Sequence, residues 1–94
     1  MIKVYIKQSN NTVLITGGSA GIGLAMDETF LNEGHVVIIC GRTKATLNEV
    51  KKRFPKINTI VADVSTQTGR ESLTAEITSR FPKLNVLINI KLGN

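Results

Sequence analysis

Apolar and polar positions follow two rhythms along this chain: short β-branched runs, and longer stretches with helical spacing. Thr12-Val13-Leu14-Ile15-Thr16 is nearly all apolar and ends in glycines. Such a run reads as a strand buried on both faces, the mark of a parallel sheet. A helix is predicted from about 21 to 33, with Ile22, Ala25, Met26, Thr29 and Phe30 on one stripe and Gly34 closing it. Val36-Val37-Ile38-Ile39-Cys40 is the second buried strand. Thr43 caps a second helix carrying Leu47, Val50 and Phe54, and Pro55 lies just beyond its end. A third strand spans 57–61. Ser65 or Thr66 opens a third helix with Leu73, Ile77 and Phe81, Pro82 follows it, and 84–88 form a fourth strand.

Strands thus alternate with helices in the order β-α-β-α-β-α-β, which predicts an α/β protein with a parallel sheet and helices on its faces. With 94 residues there is room for one domain. Residues 1–11 stand outside the pattern: Ile2, Val4 and Ile6 alternate with Lys3, Tyr5 and Lys7, as an edge strand or as a leader ending at Ser9-Asn10-Asn11. This segment has no continuous apolar core, so it is not a signal peptide. No apolar run approaches the ~20 residues needed to span a bilayer. The single Cys40 excludes an internal disulfide and fits a reducing compartment, so a cytoplasmic location is expected.

The formal net charge of +5 raises nucleic acid or a phosphorylated small molecule as partners. The basic residues are scattered, except for Lys51-Lys52-Arg53 at a helix end, where cations suit the dipole. Phe30, Phe54 and Phe81 sit at helical core spacing rather than on a stacking surface, so no nucleic acid is expected. One Cys, one His and no clustered acids leave metal binding unsupported.

The chemistry concentrates in Thr16-Gly17-Gly18-Ser19-Ala20-Gly21-Ile22-Gly23, between the first strand and the first helix. A helix N-terminus carries unpaired N–H groups and a partial positive charge, so it attracts anions. Gly17 permits the turn out of the strand. Gly21 and Ile22 offer backbone N–H groups, Gly23 lets the helix pack closely on the sheet, and Ser19 adds a hydroxyl at the rim. Two rival motifs fail. A P-loop requires Lys and Ser/Thr where Leu24 and Ala25 stand, and no register supplies the three glycines of Gly-x-Gly-x-x-Gly. The pattern present is Thr-Gly-x3-Gly-x-Gly.

This loop resembles the cofactor loop of the short-chain dehydrogenases/reductases. The resemblance continues in order through Gly41-Arg42 after the second strand, Asp63-Val64 after the third, and Asn85-Val86-Leu87-Ile88-Asn89 as the fourth. It covers residues 12–89 and implies a Rossmann-type three-layer sheet with strand order 3-2-1-4. In such proteins an acidic residue after the second strand favours NAD and an arginine favours NADP. No Asp or Glu lies between Gly34 and Lys44, and Arg42 is present, so NADP is favoured over NAD, with Ser19 and Thr43 as further hydroxyl donors to its 2′-phosphate. The resemblance further implies that Asp63 bonds the adenine amine beside the Val64 backbone, and that Asn89 lines the cofactor ribose and steadies the sheet. Asp63 can equally be a turn or cap acid ahead of the third helix.

The family pattern breaks at Asn89-Ile90-Lys91-Leu92-Gly93-Asn94, where Asn-Asn-Ala-Gly is expected; 90–94 reads as a short foreign tail on a truncated domain. The resemblance places hydride-transfer chemistry on a Ser and a Tyr-x3-Lys pair after the fourth strand. Here the only tyrosine is Tyr5, with Ser9 four residues on, and His35 has no catalytic partner in view. The chain therefore reads as the NADP-binding half of an oxidoreductase acting on an alcohol or carbonyl, with no catalytic residues of its own. The competing reading is a non-enzymatic α/β module that binds itself or a partner through the fourth strand's apolar edge, and a homo-oligomer is expected in either case.

Overall fold

The computed structural model describes residues 10–17 and 19–90, so the expectations placed on 1–9 and on 91–94 lie outside the described residues. The element order is β1 (Thr12–Thr16), α1 (Gly21–Asn32), β2 (Val36–Gly41), α2 (Lys44–Arg53), β3 (Asn58–Val61), α3 (Gln67–Arg80) and β4 (Val86–Asn89). All pairings are parallel, in the order β3-β2-β1-β4. The predicted Rossmann-type sheet and its strand order are observed. None of the described helices is long and apolar enough to cross a membrane.

Successive residues of a strand point to opposite faces, and the apolar runs here serve both. Val13, Ile15, Val37, Ile39 and Val86 face one side and pack with Leu47 and Val50 of α2 and with Leu24, Met26, Phe30 and Leu31 of α1. Leu14, Ile38, Cys40 and Ile60 face the other, against Leu73 and Ile77 of α3. The result is three layers, with α1 and α2 on one face and α3 on the other. Ile15, Ile38 and Ile39 are fully buried, and trimming such a side chain to Ala costs about 2–5 kcal/mol.

Several expectations shift by a residue or more for local reasons. The predicted α1 stripe holds only in part: Met26 and Phe30 pack on the core, but Ile22 is 70% exposed, Ala25 and Thr29 are exposed, and the fully buried positions are Gly23 and Asp27. The two fully buried positions are a glycine and an acid, which hydrophobic periodicity does not mark, while Leu24, Met26, Phe30 and Leu31 flank them against the core. β3 starts at Asn58 because the Ile57 N–H bonds the Phe54 carbonyl in a turn (3.0 Å). Leu84 likewise bonds Phe81 (3.0 Å), which delays β4 to Val86. Of the two proposed openers of α3, Thr66 is the cap: its side chain accepts from Gly69 N–H at 2.9 Å. Thr43 stands at the N-cap of α2 but makes no side-chain cap bond. Gly34 follows α1 with φ +85, as its position requires.

Candidate dinucleotide site

The strands end at a common level, and β2 and β3 lead into the short turns 42–43 and 62–66. A cleft of about 630 Å³ opens there, lined at its base by Thr16, Cys40, Ala62 and Asn89, the last residues of their strands or close to them. Ligand sites of open α/β sheets lie in this position, outside the carboxyl ends of the strands. Gly17, Ser19, Arg42, Thr43, Asp63, Val64 and Asn89 all line this cleft. Gly21, Ile22 and Gly23 do not; they form the first turn of α1 beside it.

The glycine loop takes its shape from backbone constraints. Gly17 has φ +80, and a Cβ there would stand 2.7 Å from the Ile90 carbonyl oxygen. Both facts exclude larger residues. Ala20 occupies the N-cap of α1 without a side-chain cap bond, and the first backbone bond of the helix is Leu24 N–H to the Ala20 carbonyl (3.3 Å). The N–H groups of Gly21, Ile22 and Gly23 therefore have no intrahelical acceptor. An uncapped start of this kind keeps its donors and its dipole for an anion. Gly21 has φ +58, and a Cβ there would meet nothing within 4 Å.

Across the cleft, Asp63 accepts from the Ser65 hydroxyl (2.6 Å) and the Ser65 backbone N–H (3.0 Å), both at Oδ1. The Ser65 hydroxyl chiefly, then its backbone N–H, holds the Asp63 carboxyl below the usual carboxylate range, and the nearby Arg42 guanidinium adds a smaller pull the same way. The turn role foreseen for Asp63 is thus observed, and it occupies one of the two oxygens. Gly69 explains how α3 approaches so closely: a Cβ at 69 would lie 1.7 Å from the Asp63 carbonyl oxygen. Arg70 Nη1 donates to the Val64 carbonyl at 2.9 Å and fixes the segment from the other side. On β4, Asn89 Oδ1 accepts from Thr16 Oγ1 at 2.6 Å, tying the outermost strand to the central one. Burial pushes the Cys40 thiol up, so this cysteine is a poor nucleophile in spite of its place at the cleft.

A short chain dehydrogenase family model matches residues 11–90. The chain belongs to the short-chain dehydrogenase/reductase family. An uncharacterized oxidoreductase of Bacillus subtilis, DltE, is 50% identical over 84 residues, which make up 89% of this chain and 33% of that protein. A short chain dehydrogenase from Bacillus anthracis superposes with a TM-score of 0.79 at 39% identity, covering 89% of this chain and 36% of that one. The NADP complex of RhlG from Pseudomonas aeruginosa superposes with a TM-score of 0.81 at 28% identity, covering 87% of this chain and 34% of that one. The chain thus spans about a third of the length of the family members it matches.

Sequence reasoning missed a second polar cluster, at the opposite end of the sheet. Asn85 Oδ1 accepts from the Thr12 N–H and Asn85 Nδ2 donates to Asn11 Oδ1, both at 2.8 Å. His35 Nδ1 accepts from the Asn11 N–H at 3.2 Å. His35 is buried and meets the Phe30 ring edge-on at 5.4 Å. The hydrogen bonds of this cluster span more than twenty residues of sequence, and no local spacing announces them. Among the described residues no group of three His, Cys, Asp or Glu could hold a metal ion.

Proposed function

We propose that this chain holds the dinucleotide of an NADP-dependent short-chain oxidoreductase acting on an alcohol or carbonyl. The observation that carries the reading is the cleft itself. It gathers a hydroxyl rim (Ser19, Thr43), a guanidinium (Arg42), an acid (Asp63) and the Asn89 amide beside a helix start with unused N–H groups. The residues fit the cofactor in charge as well as in space. The pyrophosphate lies against the first turn of α1, where Gly21 presents no Cβ obstruction. Arg42, exposed at the end of β2, takes the 2′-phosphate through charge-assisted bonds, with Ser19 and Thr43 beside it. Asp63 offers the oxygen not used by Ser65 to the adenine amine, and Val64 lies beside it. The NADP complex of RhlG, with which this fold superposes, supports the same choice of cofactor.

Bound NADP would supply the hydride-exchanging nicotinamide; the residues described here bind and orient. The sequence contains no Tyr-x3-Lys pair, and we expect no turnover from these 94 residues on their own. The decisive experiment is calorimetric titration with NADP and NAD in parallel, repeated on Arg42→Ala. Preference for NADP that Arg42→Ala removes supports the reading. Absence of binding by either nucleotide at millimolar concentration overturns it.

Self-association is a second proposal, favoured by one observation. β4 is an edge of the described sheet, and its Leu87 is 64% exposed. Open apolar edges recruit further strands. Light scattering at micromolar concentration is expected to show a dimer or larger species; a sharp monomer contradicts this.

A further inference from the structure

α1 turns two residues fully inward, Gly23 and Asp27. A glycine there is ordinary; an acid is not. Asp27 is 0% exposed, and neither of its carboxylate oxygens has a hydrogen-bond partner among the described residues. Among the described residues, the elements packed against α1 are β1 and β2. β1 carries no titratable side chain, and Cys40, the only one on β2, belongs to the cluster on the far face. His35, just ahead of β2, touches α1 through the Phe30 ring, and its Nε2 lies 3.8 Å from Glu33. The acids near it on α1 and its end, Glu28 and Glu33, are exposed. An ionised carboxylate in this position loses its hydration and gains no donor in exchange. The seated helix therefore selects the neutral acid.

We propose that Asp27 is a proton-operated latch: protonated, it lets α1 seat on the sheet, and ionised, it loosens α1 together with the loop at its N-terminal end. Burial raises the carboxyl from 3.8 to about 7. The raised value sets the sign. The stabilisation is complete below the ordinary value, is lost as pH rises, and has gone once pH passes about 7. Within that window the ratio of seated to loosened helix falls by up to about tenfold per pH unit. The loss ends near neutrality, so modest acidification reseats the helix. Its consequence for dinucleotide binding rests on the proposed function above; the latch itself does not.

Hydrogen exchange tests it, by comparing the amides of α1 with those of β2 from about pH 5 to about pH 8, corrected for intrinsic exchange rates. The parent chain is compared with Asp27→Asn and with Asp27→Ala, the second keeping the test readable if a buried amide impairs folding. The expected result is that α1 protection in the parent falls at least about tenfold relative to β2 as pH rises, and stays level in the variants. Three results overturn the latch: a level parent, variants that keep the slope, or loss of protection in α1 and β2 together. NADP titrations in the same buffers separate the two proposals. Failure to bind at any pH removes the nucleotide reading while the exchange result stands.

Discussion

Where the strands begin, Asn85, Asn11 and His35 meet one another through bonds of 2.8 to 3.2 Å, and His35 is enclosed. Where the strands end, Ser19, Arg42, Thr43 and Asp63 ring an open cleft, and the first N–H groups of α1 have no acceptor within their helix. Both ends are polar, and both join elements distant in sequence. The first is knitted mostly within itself and ties β1 to β2 and β4, with His35 Nε2 left without a hydrogen-bond partner among the described residues, 3.8 Å from Glu33. The second keeps donors for something the chain does not contain. That contrast supports the proposed dinucleotide position more than the glycine count does, because a turn that bound nothing would gain from a capping side chain where Ala20 stands.

The comparison can be broken at either end, and the largest effect belongs to the cleft. Gly17→Val combines a positive φ with a Cβ only 2.7 Å from the Ile90 carbonyl oxygen. The loop must deform, and NADP affinity is expected to fall by at least about tenfold, read by calorimetry. At the closed end, Asn85→Ala removes the bonds to Thr12 and Asn11. The expected loss is about 2–3 kcal/mol of stability by urea unfolding, with NADP affinity unchanged in the fraction that remains folded. A matching loss of affinity there would erase the distinction between the ends.

A smaller effect sharpens the reading of the cleft. Arg42→Ala is expected to cost NADP about tenfold in affinity and NAD almost nothing, measured side by side. The smallest is Ser65→Ala, which deletes the main cause of the low Asp63 pKa. In the parent, the depressed value adds stability that is present above the ordinary carboxylate range and is lost as pH falls through the lowered value. The variant should return Asp63 towards 3.8 in a carboxyl-carbon NMR titration and shrink that pH-dependent contribution. An unmoved Asp63 would mean that the Ser65 bonds do not hold it.

Much of this was readable in the chain itself, for physical reasons that can be stated. β1 appears at its predicted bounds because an apolar run between Asn11 and Gly17 leaves no other register. The strand order came with the family resemblance that the loop and the motifs after each strand carry, and Arg42, Thr43, Asp63 and Val64 reach one cleft because each sits just past a strand end. The buried face of α1 was readable only in part, through Met26 and Phe30. Periodicity weighs hydrophobicity, and the fully buried positions are a glycine and an acid, so Ile22 was assigned inward and stands exposed. Gly69 escaped notice as well. Its requirement comes from the Asp63 carbonyl across the turn, and a glycine inside a helical stretch reads only as a weak helix former.

The most direct test of the central claim, that the open end of the sheet is the dinucleotide site, is a map of backbone amide shifts during titration with NADP. The account predicts shifts at Gly17, Ser19, Gly21, Arg42, Asp63 and Asn89, with Asn11, His35 and Asn85 unmoved. Shifts confined to the Asn11 and His35 end, or none at millimolar nucleotide, would contradict it.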